Sequence, residues 1–240
     1  VSTDPHARTA LDHLYETFAR HPLPEHTVVC DHCVSPDVVR AARTGPLRSL
    51  GAEVLEPYAW NHGTWGDEAD FKHYLPRLLE LLITEEMDGW FVAPDLAART
   101  ARAWTGWPDD EREAVVAAVG AWWQVTLSAY PRELGAPELI ALIGDGYRLD
   151  PLPYLAVWEE AAGEEAAARH LAGLMRDWPV RAAAERAWYA EVDRWIAGPA
   201  PVRLLGEGLA ATRSPAVERE LRKALELWER RNPVGLHEPG

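Results

Sequence analysis

Cys30-Asp31-His32-Cys33 is the segment whose residue types and spacing come nearest to a defined chemistry. Two thiolates in a Cys-x-x-Cys turn can grip one zinc ion, because the turn brings both sulfurs to bonding distance. Zinc then needs two more ligands. His26, His32, His62 and His73 are the nearest histidines in the sequence. His32 is awkward, since it lies between the two cysteines. The expected metal set is therefore Cys30, Cys33, His62 and His73, holding one structural zinc. Two other readings fit the same residues. A Cys-x-x-Cys beside a helix start, here Ser35-Pro36, has a lowered thiolate pKa and can do redox chemistry. Thioredoxin-like proteins put that motif after a strand, however, and no strand pattern precedes it here. Two small thiols can also tie a loop by packing alone.

A second group lies at Asp67, Asp70, Lys72 and His73. Asp70 and His73 are three apart and share one helix face. With Asp67 and Lys72 they can form a carboxylate–imidazole site for metal binding or general acid–base catalysis. The simpler reading is an acidic first turn of Asp67, Glu68 and Asp70, with Asp67 as the cap. Lys72 and Arg77 carry positive charge into an acidic chain. Asp67 and Asp70 are their expected partners, in an anion-binding cluster or, by preference, in an ion network.

The chain holds 12 tryptophans. Trp122, Trp123, Trp188, Trp195 and Trp228 fall at helical spacing among apolar residues, so they are expected in the core. Trp60, Trp65, Trp90, Trp104 and Trp107 fall near expected helix ends, where aromatic residues often form interaction surfaces. Trp60, Trp65, Trp104 and Trp107, with Arg77, are the candidate lining of a binding groove. No Gly-x-Ser-x-Gly, Walker loop or His-Glu-x-x-His occurs. Gly144-Asp145-Gly146 lacks the third glycine of a dinucleotide turn and is followed by Pro151 and Pro153.

Cys30-x-His32-Cys33, Pro46-Leu47-Arg48-Ser49-Leu50, Thr64-Trp65-Gly66-Asp67 and the run from Asp70 to Leu81 together resemble a family of uncharacterised bacterial proteins. Its hallmark is similar to Gly-Asp-x-x-Asp-Phe-Lys-His-Phe-Leu-Pro-Arg; this chain has Tyr74 where the pattern often has Phe. The likeness covers about the first 130 residues of the chain and weakens through Trp107-Pro108, Glu111 and Trp122-Trp123. It implies that the 62–81 block is a recurring unit, and it brings no activity with it.

The elements that must position these residues are helical. Leu75, Leu78, Leu79, Leu82 and Ile83 recur on one helix face, as do Val115, Val119, Trp122, Trp123 and Leu127, and Val217, Leu221, Ala224, Leu225 and Trp228. Ser35-Pro36 and Ser214-Pro215 are cap-plus-proline starts, and Pro94 and Pro199 read as further starts. Pro76 is expected to kink its helix or to mark the true start. Helices are expected near 4–20, 36–43, 50–60, 67–87, 94–105, 108–130, 136–143, 151–161, 163–177, 179–197, 201–211 and 214–231. The expected fold is all-α, with about a dozen helices in irregular antiparallel pairs, as a bundle or a HEAT-like stack. One domain is expected over residues 1–240, with a candidate subdomain joint at the Pro- and Gly-rich stretch 131–153.

Charge narrows the partners. A net charge of -14 argues against nucleic acid and anionic membranes. It favours a basic protein or peptide partner. No signal peptide is recognised at the given start, and the longest apolar stretch is about half a membrane span. The expected protein is a cytoplasmic interaction or scaffold protein. The competing expectation is a metal-dependent or acid–base enzyme centred on Asp67, Asp70, Lys72 and His73. An enzyme needs those side chains converging on one accessible cleft; a scaffold buries or disperses them.

Overall fold

The computed structural model describes residues 4–30, 32–61, 63–178 and 187–232. Among them the chain is all-α, with twelve α-helices. The only strand-like pairing among the described residues is an antiparallel bridge between Val29 and Trp65. None of the described helices is long and apolar enough to cross a membrane. The chain forms two compact units, Val1–Val125 and Thr126–Gly240, so the expected joint at 131–153 lies inside the second.

The first unit contains α1 (Pro5–Phe18), α2 (Pro36–Thr44), α3 (Ala52–Trp60), α4 (Glu68–Ile83), α5 (Gly89–Ala103) and most of α6 (Asp109–Ser128). Its hub is α4, with eleven of sixteen residues buried. The apolar stripe seen in the sequence continues on two more sides, through Phe71, Tyr74 and Leu81. A helix buried on most of its sides needs neighbours on those sides, and α1 and α3 pack against it. α3 in turn packs on α2 and α5.

One proline reading needs correction, and one of the two alternatives for Pro76 falls. Pro94 does not start a helix: α5 begins at Gly89, capped by Asp88, whose carboxylate accepts the Phe91 N–H. Pro76 is not the start of α4, which runs from Glu68 through it to Ile83. Pro57 sits likewise inside α3. Proline removes one donor but does not forbid a helix whose apolar side chains are held by neighbours.

The second unit contains α7 (Ala136–Ala141), α8 (Leu152–Glu160), α9 (Glu165–Asp177), α10 (Ala187–Ala197), α11 (Pro199–Ala211) and α12 (Pro215–Arg231). α7 continues into a π-turn at Leu142–Gly146. α9 is the hub here, packing on α7, α11 and α12. Gly208 of α11 faces Ala168 of α9 so closely that an added Cβ would lie 2.4 Å from the alanine methyl. The tryptophan indoles are tied as well as packed: Trp158 donates to the Ala167 carbonyl and Trp228 to the Ile196 carbonyl. The first part of the expected 179–197 helix, 179–186, lies outside the described residues.

One buried histidine makes this unit sensitive to acid. His170 donates from Nε2 to the Ala129 carbonyl at 3.0 Å. Its Nδ1 accepts the Ala136 N–H at 3.3 Å, at the start of α7. The Nδ1 bond requires the neutral ring; the Nε2 bond survives protonation. Burial pushes its pKa below the ordinary 6.5, against an opposing pull from the Ala129 and Thr126 carbonyls. A depressed histidine contributes stability that is complete above its unfolded value. That contribution falls as pH drops below 6.5 towards the folded value. The expected result is a smaller protection factor for the Ala136 amide, relative to its intrinsic exchange rate, as the pH falls through that window. His170→Gln should be less stable at neutral pH and should lose this pH dependence.

Candidate functional site

The candidate residues gather around the start of α4, and the local backbone explains why. Asp67 is the N-cap: its carboxylate accepts the Ala69 and Asp70 N–H groups, at 2.8 and 3.3 Å. Asp70 reaches back to accept the Asp67 N–H at 3.0 Å. The pair is a capping box with aspartate in the glutamate position. The other Asp70 oxygen accepts the Thr27 hydroxyl at 2.7 Å. Gly66 precedes the cap with φ +75, and an added Cβ would lie 2.7 Å from the Asp70 Cβ. Its N–H donates to the Val28 carbonyl, and Cys30 N–H donates to Thr64, which builds the Val29–Trp65 bridge. Gly66→Ala is expected to cost about 1–3 kcal/mol, from the left-handed backbone and the clash together. Urea denaturation of the variant measures it.

Lys72 faces away from these aspartates. Its Nζ lies 2.7 Å from Glu111 Oε2, with side chains only 11% and 1% exposed. The other Glu111 oxygen accepts His21 Nε2–H at 2.7 Å. His73 donates from Nδ1 to the His21 carbonyl at 3.0 Å. Lys72 also lies over the Trp107 ring, 4.8 Å from its centroid. The Trp107 indole N–H is held by Glu68. Burial pushes the Glu111 carboxyl up, but the Lys72 and His21 hydrogen bonds outweigh it and hold it below its ordinary value. Both oxygens of that carboxylate are engaged, so it is a stabilised anion rather than an open base.

The expected convergence therefore does not occur. Asp67 and Asp70 are not the partners of Lys72 or Arg77. Lys72 pairs with Glu111. Arg77 donates to the Leu50 carbonyl at 2.7 Å and pairs with Glu80, which also accepts the Tyr15 hydroxyl. The acidic first turn is the reading that holds. A crevice between α3, α4 and α5 is lined by Ala59, Phe71, Leu78, Asp95, Leu96 and Arg99, and by none of the four polar candidates.

Of the expected zinc set, His73 donates from Nδ1 to the His21 carbonyl, which leaves Nε2 as its ligating nitrogen. Cys30 is half-buried and Cys33 exposed, and a turn from the Cys30 carbonyl to Cys33 N–H joins them. His62 lies outside the described residues. Among the described residues no three His, Cys, Asp or Glu side chains are grouped to hold a metal. The aromatic groove is corrected too. Trp65 and Trp107 are buried, Trp104 is half-buried, and only Trp60 of the four is exposed. Trp65 packs edge-on against Tyr58.

His21 and Glu111 are the members of the charged cluster that sequence reasoning missed. Glu111 had a signal: it stands in register with Val115, Val119 and Trp122 on the buried face of α6. A carboxylate at a core position demands a partner. His21 lies just beyond α1 and carries no such signal.

Fold and site together define an all-α protein with a buried lysine–glutamate–histidine cluster in its first unit. No family model, no curated protein and no solved structure matches the chain.

Proposed function

We infer that this chain is a helical interaction protein that holds a protein or peptide partner. The observation that carries the reading is how the polar candidates are used. Asp67 and Asp70 cap α4, Lys72 is locked to Glu111, and Arg77 to Glu80. Each is spent on the fold. Large aromatic side chains are left in solvent at the same time: Trp60, Trp90 and Phe91 are 54%, 56% and 70% exposed. Exposed aromatics in a strongly acidic chain suit a basic partner. A cytoplasmic setting agrees with a cysteine count of only two.

The test is a thermal-shift screen against small metabolites, run beside partner reconstitution. A purified partner that forms a stoichiometric complex at physiological salt supports the reading. A metabolite whose stabilisation disappears in His73→Ala, with the fold intact, overturns it in favour of an acid–base enzyme at the Lys72–Glu111–His21–His73 cluster. A structural zinc on Cys30 and Cys33 is a separate part of the proposal, read by elemental mass spectrometry. About one zinc per chain supports it, with ligands beyond the described groups. Metal-free protein reduces the two cysteines to loop packing.

A further inference from the structure

The start of α5 carries an arrangement that neither the fold nor the charged cluster uses. Trp90, Phe91, Pro94 and Asp95 are all exposed. At offsets of one, four and five residues they form one helix face. Trp90 and Phe91 stand side by side in water, the two large aromatics most exposed among the described residues. Neighbouring exposed aromatics mark a contact surface far better than scattered ones do.

The surroundings state the partner's charge. From Glu85 to Asp95 the chain has four carboxylates and no basic residue. The α5 N-terminus is already capped by Asp88, so its partial positive charge is answered within the chain. Pro94 supplies no N–H, so the Trp90 carbonyl lacks its i+4 backbone donor. Glu85 holds a left-handed backbone, φ 58, at the turn after α4. Glycine or asparagine is the usual occupant of such a position, so a carboxylate is kept there at a conformational cost.

We propose that the Trp90–Phe91 face is the docking surface for an arginine-containing basic segment of a partner protein. The guanidinium plane stacks on an aromatic ring and donates in-plane to carboxylates. Trp90 and Phe91 supply the rings, and Asp95 the acceptor on the same face; Glu86 is already paired with Arg77 and Thr84. The proposal rests on the reading of the chain as an interaction protein and names the partner chemistry for it.

The experiment uses a fluorescein-labelled oligoarginine peptide and the full chain, with binding read by anisotropy at low and physiological salt. The peptide should bind, and more tightly than oligolysine of equal length. The double variant Trp90→Ala/Phe91→Ala should weaken it at least about tenfold. Asp95→Asn should weaken it about two- to fivefold. Both changes lie on the surface, and unchanged melting verifies the fold. Equal binding by the double variant overturns this location while leaving the interaction reading intact. No peptide binding by the wild-type chain overturns the basic partner. Self-association of the wild-type chain that the double variant abolishes makes the occupant a second copy, which also overturns the proposal. Failure of the broader reading shows elsewhere, as metabolite stabilisation lost in His73→Ala and kept in the double variant.

Discussion

Lys72→Met lowers the stability of the first unit by about 3–5 kcal/mol, the expected loss when one partner of a buried ion pair is removed. The methionine fills most of the lysine's volume, so packing is nearly conserved. The damage falls on Glu111, which keeps only the His21 bond for a carboxylate that is 1% exposed. Glu111 then takes up a proton more readily. In the wild-type chain its pKa is depressed, so the pair's contribution is complete above the unfolded value of 4.5 and is lost as pH falls through the folded one. The variant should therefore lose its stability deficit in acid. A double variant, Lys72→Met/Glu111→Leu, should be more stable than either single variant, because both desolvation penalties vanish together. Urea denaturation at pH 7 and pH 4 of all four proteins measures the cycle. Equal stability of Lys72→Met and wild type would show that the pair is not buried as described.

The second large effect separates two tryptophans that look alike in the sequence. Trp65→Ala is expected to cost about 3–5 kcal/mol, and Trp60→Ala to change stability by no more than about 0.5 kcal/mol. Trp65 is 1% exposed and packs edge-on against Tyr58. Its backbone belongs to the bridge that holds the 28–30 segment to the start of α4. Trp60 ends α3 with its ring mostly in solvent. Thermal melts of the two variants decide the matter. A Trp65→Ala protein as stable as wild type would put that ring outside the core.

Helix positions were readable because their signals are local. Ser35-Pro36 and Ser214-Pro215 are caps where expected. The Gly66-Asp67-x-x-Asp70 pattern resolves into a left-handed glycine followed by a capping box, so its spacing is that of a helix start. The misreading of Pro94 has a local cause too. Proline is favoured at a first helical turn, and that preference hid the better cap at Asp88. The pairing of charges was not readable, because it is set by tertiary approach. Lys72 and Glu111 are 39 residues apart, and His21 and Glu111 are 90 apart. Nothing in the spacing of Asp67, Asp70 and Lys72 reveals that the lysine turns to another helix. The tryptophans were ambiguous for the same reason: a position near a helix end says nothing about whether another helix covers it.

The prolines inside α3, α4 and α5 bear on which parts of the chain can order by themselves. Each interior proline lowers a helix's intrinsic stability by about 3 kcal/mol. Pro57, Pro76 and Pro94 place one such defect in each of three consecutive helices. A peptide covering 68–83 should thus be a coil in water and acquire its helix only with its neighbours. A peptide covering 215–231 is differently equipped: its proline is in the first turn, and an i, i+4 pair joins Glu218 and Arg222. Such a segment can hold partial helix alone. Local order would then favour the end of the chain, while the beginning assembles by long-range contact, making it the slower part to form.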